Sequence, residues 1–243
     1  MKRSVFIMSI LFWGCNTLVE QSTPLKGDFY IQDGWLAFSS NKYEDADQHF
    51  DTAIETNEIR SIYHFLSYIG KGWTDMYNAR TKHDSNIIQQ EMINIAGINF
   101  DTALSILPEL DENLYNESDK MNLYAGLSLH RAFSAKQKAA NEILWETSNS
   151  ELGNEIDALY RQSIAYGHKV SSNYIFQYDP ALDYEKIILL RIENYILIGE
   201  IDSALFYYRD YGFLCSENDI DENTIVECLC NTLNVGNCPF SQE

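Results

Sequence analysis

Proline and glycine are scarce in this chain, 4 and 12 in 243 residues. Few positions therefore break a helix or need a left-handed backbone. Alternating apolar and polar runs bounded by turn residues, the mark of β-strands, hardly occur. Positive charge is scarce as well, with 17 Lys and Arg against 36 Asp and Glu and a net charge of −19. A field of that sign repels nucleic acid and anionic lipid headgroups, which argues against a nucleic-acid role. It favours cationic peptides, basic protein faces or divalent cations as partners, and it also serves plain solubility or a salty surrounding.

Catalytic signatures are missing too. There is no G-x-S-x-G elbow, phosphate loop or Rossmann glycine pattern. The five histidines, His49, His64, His83, His130 and His168, show no H-E-x-x-H or other ligand spacing. His49, beside Phe50, reads as a solvated side chain, and His130-Arg131 and His168-Lys169 read as helix neighbours pointing to different faces. The acidic stretches Asp219-Ile220-Asp221-Glu222 and Asp45/Asp47 lack the central glycine and terminal glutamate of a calcium loop. A catalytic role is not expected, since it would have to assemble from distant residues, and no cofactor or metal is implied.

What is present is a folded, helix-rich composition, 45% hydrophobic and 13% aromatic. The chain opens Met1-Lys2-Arg3, continues with the apolar run Val5 to Trp13 and reaches Gly14-Cys15. A basic start, a short apolar stretch and a small residue make a secretory signal, and the run is far below the ~20 residues that span a bilayer. This end resembles a bacterial lipoprotein signal peptide, in which the cysteine is lipidated and becomes the new N-terminus. Gly14 fits the position before Cys15, whereas Phe12 and Trp13 stand where that pattern usually has Leu and a small residue. The alternative is an ordinary signal peptide with Cys15 incidental. Residues 1–15 are thus assigned to the signal with its lipidation cysteine, and 16–26 (NTLVEQSTPLK) to a polar tether. Loss of Lys2 and Arg3 with the signal takes the charge from −19 to −21.

Cys215, Cys228, Cys230 and Cys238 cluster near the C-terminus, in residues 213–243. An even number in an exported chain suggests two disulfides. Cys228 and Cys230 are too close to pair comfortably, which leaves 215–228 with 230–238, or 215–230 with 228–238. A four-thiolate zinc site competes, but C-x-C is not the usual knuckle spacing. Disulfides here would staple the last segment onto the rest of the protein as a cap.

Self-similarity runs through residues 27–212. Residues 30–54 carry Tyr30, Gly34, Trp35, Tyr43, Ala46, Phe50 and Ala53. Ala46, Phe50 and Ala53 fall on one face of a helix at i, i+4, i+7, with Gly34 on the preceding helix where the two cross closely. Tyr68, Gly72 and Trp73 reproduce Tyr30, Gly34 and Trp35 at an offset of 38, and Phe100-Asp101-Thr102-Ala103 repeats Phe50-Asp51-Thr52-Ala53 at an offset of 50. Ala96 precedes Phe100 as Ala46 precedes Phe50, and Pro108 closes the unit. The offsets differ by 12, so the second unit carries that many extra residues, around TKHDSNIIQQ, where the polar run marks a loop or a lengthened helix. A third unit is weaker: Tyr124 to Phe133 as first helix, an insertion containing Trp145, and 155–170 as second helix. The fourth places Tyr195, Gly199, Ile201, Ala204, Tyr208 and Tyr211 on the pattern, with Gly199 in the turn.

This pattern resembles the tetratricopeptide repeat (TPR), a helix pair with a small residue in helix A and A…F…A in helix B. The resemblance implies an all-α fold, an antiparallel helix-pair solenoid of about four irregular repeats. It further implies a concave face that holds a peptide or a partner's helix. Carrying the family's groove positions over gives Trp35 and Phe38 in the first unit and Trp73, Met76 and Tyr77 in the second; core packing is the competing use of these side chains. The function so implied is an envelope-anchored lipoprotein that mediates protein–protein interaction, as scaffold or assembly subunit, with a partner possessing basic character. Lipoprotein subunits of outer-membrane assembly machineries share the architecture. The alternative is a receptor for a small solute or glycan, as in the much longer repeat-containing lipoproteins of glycan uptake, with Trp35 and Trp73 stacking on the ligand in a deep pocket. The place expected is the cell envelope, on a periplasmic or outer-membrane face.

Overall fold

A computed structural model describes residues 27–81, 86–145 and 150–211. Cys15, the tether 16–26, His83 and the cysteines Cys215, Cys228, Cys230 and Cys238 lie outside the described residues. Within them the chain is all-α: α1 Asp28–Ser39, α2 Tyr43–Thr56, α3 Ile62–Thr81, α4 Asn86–Ile106, α5 Glu117–Trp145, α6 Ser150–Gly167, α7 Tyr184–Leu197 and α8 Ile201–Asp210. The one departure among the described residues is an isolated antiparallel bridge between Ile175 and Asp183. None of the described helices is long and apolar enough to cross a membrane.

Consecutive helices pack as hairpins, α1 on α2, α3 on α4, α5 on α6 and α7 on α8, and α1, α3, α5 and α7 also touch in succession. The turns have local causes. At the end of α1 the chain reverses through Asn41, φ 59°, with Lys42 N–H on the Ala37 carbonyl and Asn41 N–H on the Phe38 carbonyl, both 2.9 Å. Gly199, φ 76°, does the same after α7, with Glu200 N–H on Tyr195 at 2.8 Å and Gly199 N–H on Ile196 at 3.0 Å. Both are Schellman closures, in which a residue that tolerates positive φ lets two late N–H groups satisfy the last helical carbonyls. Asp183 opens α7 by accepting the Lys186 N–H at 3.1 Å. Pro108 turns the end of α4 into a short 3-10 turn, Leu107–Glu109.

The seams are built on small residues. Phe50 of α2 is fully buried between Gly34 of α1 and Gly70 of α3; a Cβ on Gly34 would meet its ring at 2.7 Å. Phe100 of α4 repeats this between Gly72 of α3 and Gly126 of α5, with 2.6 Å from a Cβ on Gly72. Ala46, Ala53, Ala96 and Ala103 flank the two rings and expose nothing. The α5–α6 seam replaces the wedge by a reciprocal pair: the Ser128 hydroxyl donates to the Ser163 carbonyl at 2.9 Å, and the Ser163 hydroxyl to the Ser128 carbonyl at 2.7 Å. Ala204 and Tyr208 of α8 are buried against α7 in a smaller cluster with Ile188 and Ile192.

The extra residues of the second unit lengthen both helices, 20 and 21 residues against 12 and 14 in the first pair, the second of the two outcomes expected. Two features differ from the sequence reading. The expected break after Phe133 is absent: α5 runs unbroken for 29 residues to Trp145, because Ser134 to Trp145 (SAKQKAANEILW) is rich in strong helix formers. Finally, α6 stops at Gly167, so His168 and Lys169 stand beyond the helix that was expected to carry them to residue 170.

Candidate functional site

Trp35 and Phe38 on α1, and Trp73, Met76 and Tyr77 on α3, come together on the face shared by α1, α3 and α5. Their rings interlock, with Trp35 to Phe38 at 5.5 Å and Phe38 to Tyr77 at 5.0 Å, both edge to face. The Trp73 indole N–H donates to the Asn122 carbonyl of α5 at 3.1 Å, which ties the third hairpin to the second.

This face is covered by the segment that joins α6 to α7. Phe176 stacks on Trp73 at 4.3 Å and meets Trp35 and Phe38 edge-on at 6.0 and 5.9 Å. Tyr178 lies flat on Trp35, 4.0 Å away and 1° from parallel. The Tyr77 hydroxyl donates to Asp179 at 2.6 Å, and burial followed by this bond raises the phenol's pKa. The segment is closed on itself by Phe176 N–H to Leu182, Tyr184 N–H to Tyr174 and Leu182 N–H to Asp179, each 2.9 Å. Trp73 is therefore 0% exposed, Phe38 and Met76 2% and Trp35 8%. Four of the five side chains are core residues of a filled face, and Tyr77, partly buried, packs against them. Burying Phe176, Leu182 and most of Tyr178 contributes about 5–9 kcal/mol at roughly 1.5–3 kcal/mol each, so the face does not open casually.

The covering segment was not singled out from sequence, yet it carries a signal. Tyr174, Phe176 and Tyr178 alternate over Ile175 and Gln177 and end at Asp179-Pro180. That is period-two patterning ahead of a turn, out of place in a helical chain.

Several buried polar groups tie the helices together. Lys71 of α3 holds Asp47 and Asp51 of α2 at 2.6 and 2.7 Å. One turn on, Asp75 is buried and accepts from Asn99 of α4 at 2.8 Å; burial, with Asp47 adding to it, pushes its pKa up to about 7. His64 of α3 uses Nε2 on the Ile54 carbonyl of α2 at 2.8 Å. His130 of α5 likewise donates from Nε2 to Ile93 of α4 at 2.8 Å, while its Nδ1 accepts from Arg131 at 3.1 Å. The neighbouring side chains His130 and Arg131 thus meet, where different faces were expected. Burial, with Arg131 beside it, holds His130 down to about 4, so it is a neutral strut at ordinary pH. His168 receives the Arg191 guanidinium on Nδ1 at 2.7 Å and donates to Tyr195 at 2.9 Å; burial and Arg191 lower its pKa.

An open feature lies beside the covered face. A cleft of about 480 Å³ lies where the covering segment meets the start of α7 and the end of α8. Tyr174 and Ile175 form one wall, Asp183, Tyr184 and Glu185 another, and Tyr211 a third. The Tyr184 and Tyr211 hydroxyls touch at 2.6 Å, with their rings 5.6 Å apart and tilted by 65°. No protein-family model, curated protein or solved structure matches this chain. The reading of its function rests on this geometry and on the repeat pattern in the sequence.

Proposed function

We propose that this chain is a TPR-like helical-repeat protein that binds another protein, exported and held at the cell envelope by lipid on Cys15. The observation that carries the reading is the face of α1, α3 and α5, which holds a non-helical segment of its own chain by ring stacking and by hydrogen bonds of the Tyr77 and Met121 side chains. Stacked helix pairs offer such a face to peptides. Here the first three hairpins use it in cis, and binding in trans falls to the surfaces next to the covering segment. The glycan or solute reading finds no support at Trp35 and Trp73, whose rings are stacked on Tyr178 and Phe176. Catalysis is not part of the proposal, since the buried Asp75 and His130 serve as hydrogen-bonding struts.

Site-directed photocrosslinking of the full chain in membranes of the source cell tests this. A photoreactive residue at Ile175, which is 59% exposed, is compared with one at Ser39 and one at Glu55 on other surfaces. A discrete protein adduct from position 175 alone supports the reading; equal adducts from all three positions, or none, count against it. Labelling with a radioactive fatty acid, abolished by Cys15→Ala, checks the anchor.

A further inference from the structure

The cleft beside the covering segment combines three things. Its tyrosine rings are held in place by the contact between the Tyr184 and Tyr211 hydroxyls. Its ionisable lining is otherwise acidic: Asp183, half engaged as the cap of α7, and Glu185, exposed and without an ion pair among the described residues. Its rim carries one extended, bridge-forming residue, Ile175. In the bridge of Ile175 with Asp183, the paired groups belong to the neighbours, with Phe176 N–H on Leu182 and Tyr184 N–H on Tyr174. The N–H and carbonyl of Ile175 itself face the opposite edge, because successive residues of an extended chain alternate, and neither has a partner among the described residues. The apolar side chain of Ile175 stands exposed beside them.

Resting on the protein-binding reading above, we infer that this cleft takes an extended segment of a basic protein partner. The segment pairs its backbone with Ile175 and lays a Lys or Arg side chain over the touching rings of Tyr184 and Tyr211, beside Glu185 and Asp183. Strand addition supplies affinity through main-chain bonds, and the side-chain site supplies selection. A cation over tyrosine rings and beside carboxylates is attracted twice, and the charge of −19 steers it toward the protein. Arg191, whose charge bears on Tyr211, is taken up by the Tyr207 ring at 4.3 Å and by His168.

The test titrates acetyl-Val-Lys-Val-Lys-Val-amide and its Glu-for-Lys counterpart into the full-length chain in nonionic detergent, by calorimetry at two salt concentrations. The lysine peptide binds and the glutamate peptide does not. Tyr211→Ala with Glu185→Gln weakens the lysine peptide about tenfold, and added salt weakens it further, as expected for exposed charges. Both side chains are solvent-facing, so unchanged thermal unfolding is the check that the variants fold. Glu185→Arg, a second variant, shifts the preference toward the glutamate peptide. Equal binding of the two peptides, lysine-peptide binding indifferent to the variants, or no binding up to millimolar concentration overturns the inference. If the crosslink from Ile175 forms while the lysine peptide fails, only the basic-segment assignment falls; if neither occurs, the protein-binding reading falls with it.

Discussion

Replacing Asp75 by Asn removes a carboxyl group that α2, α3 and α4 shield from water. The residue is 8% exposed and accepts a hydrogen bond from Asn99 at 2.8 Å, while Asp47 and Asp51 add negative charge that Lys71 offsets only in part. Its pKa stands at about 7 in the fold against 3.8 for a free aspartate. A raised carboxyl pKa means that folding favours the protonated form. The fold is unburdened below pH 4 and loses stability as pH rises from about 4 to 7. At about 1.4 kcal/mol per pH unit over that interval, the loss at pH 8 is about 4 kcal/mol. An amide at this position keeps an acceptor for Asn99 and carries no charge. Asp75→Asn is therefore expected to stabilise the protein at pH 8 by up to about 4 kcal/mol and to leave it nearly unchanged at pH 4. Urea unfolding midpoints of parent and variant from pH 4 to 8 read this directly, and other titrating groups cancel in the difference. A variant that is less stable at pH 8, or a difference that does not vary with pH, refutes the reasoning.

His130 has the opposite sign: its lowered value, about 4, means stability is complete above pH 6.5 and falls as pH drops toward 4, by about 3 kcal/mol. His130→Gln, which keeps a donor for Ile93, should flatten that part of the unfolding curve; an unchanged pH profile speaks against the buried neutral ring. Phe176→Ala should cost about 3–5 kcal/mol and shift tryptophan emission to the red, since Trp35 and Trp73 lose their cover; emission like the parent's would show the face closed by other means. Ala46→Leu should cost about 1–3 kcal/mol by overpacking a fully buried seam, and an unaltered melting temperature would count against the register of the first hairpin. For the C-terminal cysteines, thiol labelling of the denatured mature protein without reductant is expected to find Cys215, Cys228, Cys230 and Cys238 unreactive; four reactive thiols would dispose of the staple.

Local features of the fold were readable from sequence because their causes are local. Ala46, Phe50 and Ala53 mark a seam by spacing alone, and Phe100 to Ala103 mark it again. Gly199 sits where a helix has to reverse. The lengthening of α5 went unread because the stretch after Phe133 was judged by its place in a repeat, while its own residues favour helix. The covered face was the larger omission. Trp35, Phe38, Trp73, Met76 and Tyr77 share one surface, but what closes it comes from far along the chain: Tyr77 and Asp179 are 102 residues apart. No periodicity within a helix encodes such a contact. The buried state of His130 was equally hidden, since it depends on a carbonyl of the preceding helix, 37 residues earlier.

An array in which each helix pair touches only its neighbours can fray from either end, one pair at a time. The segment before α7 changes that, because Tyr178 lies on Trp35 of α1 and Phe176 on Trp73 of α3. The first hairpin and the approach to the last thus share one aromatic stack. Loosening either end exposes rings belonging to the other, so the described helices should melt together and not in sequence. The same strap raises the mean sequence separation of contacts, which slows the search for the native state. A chain of local hairpins has in this way acquired the cooperativity of a closed domain.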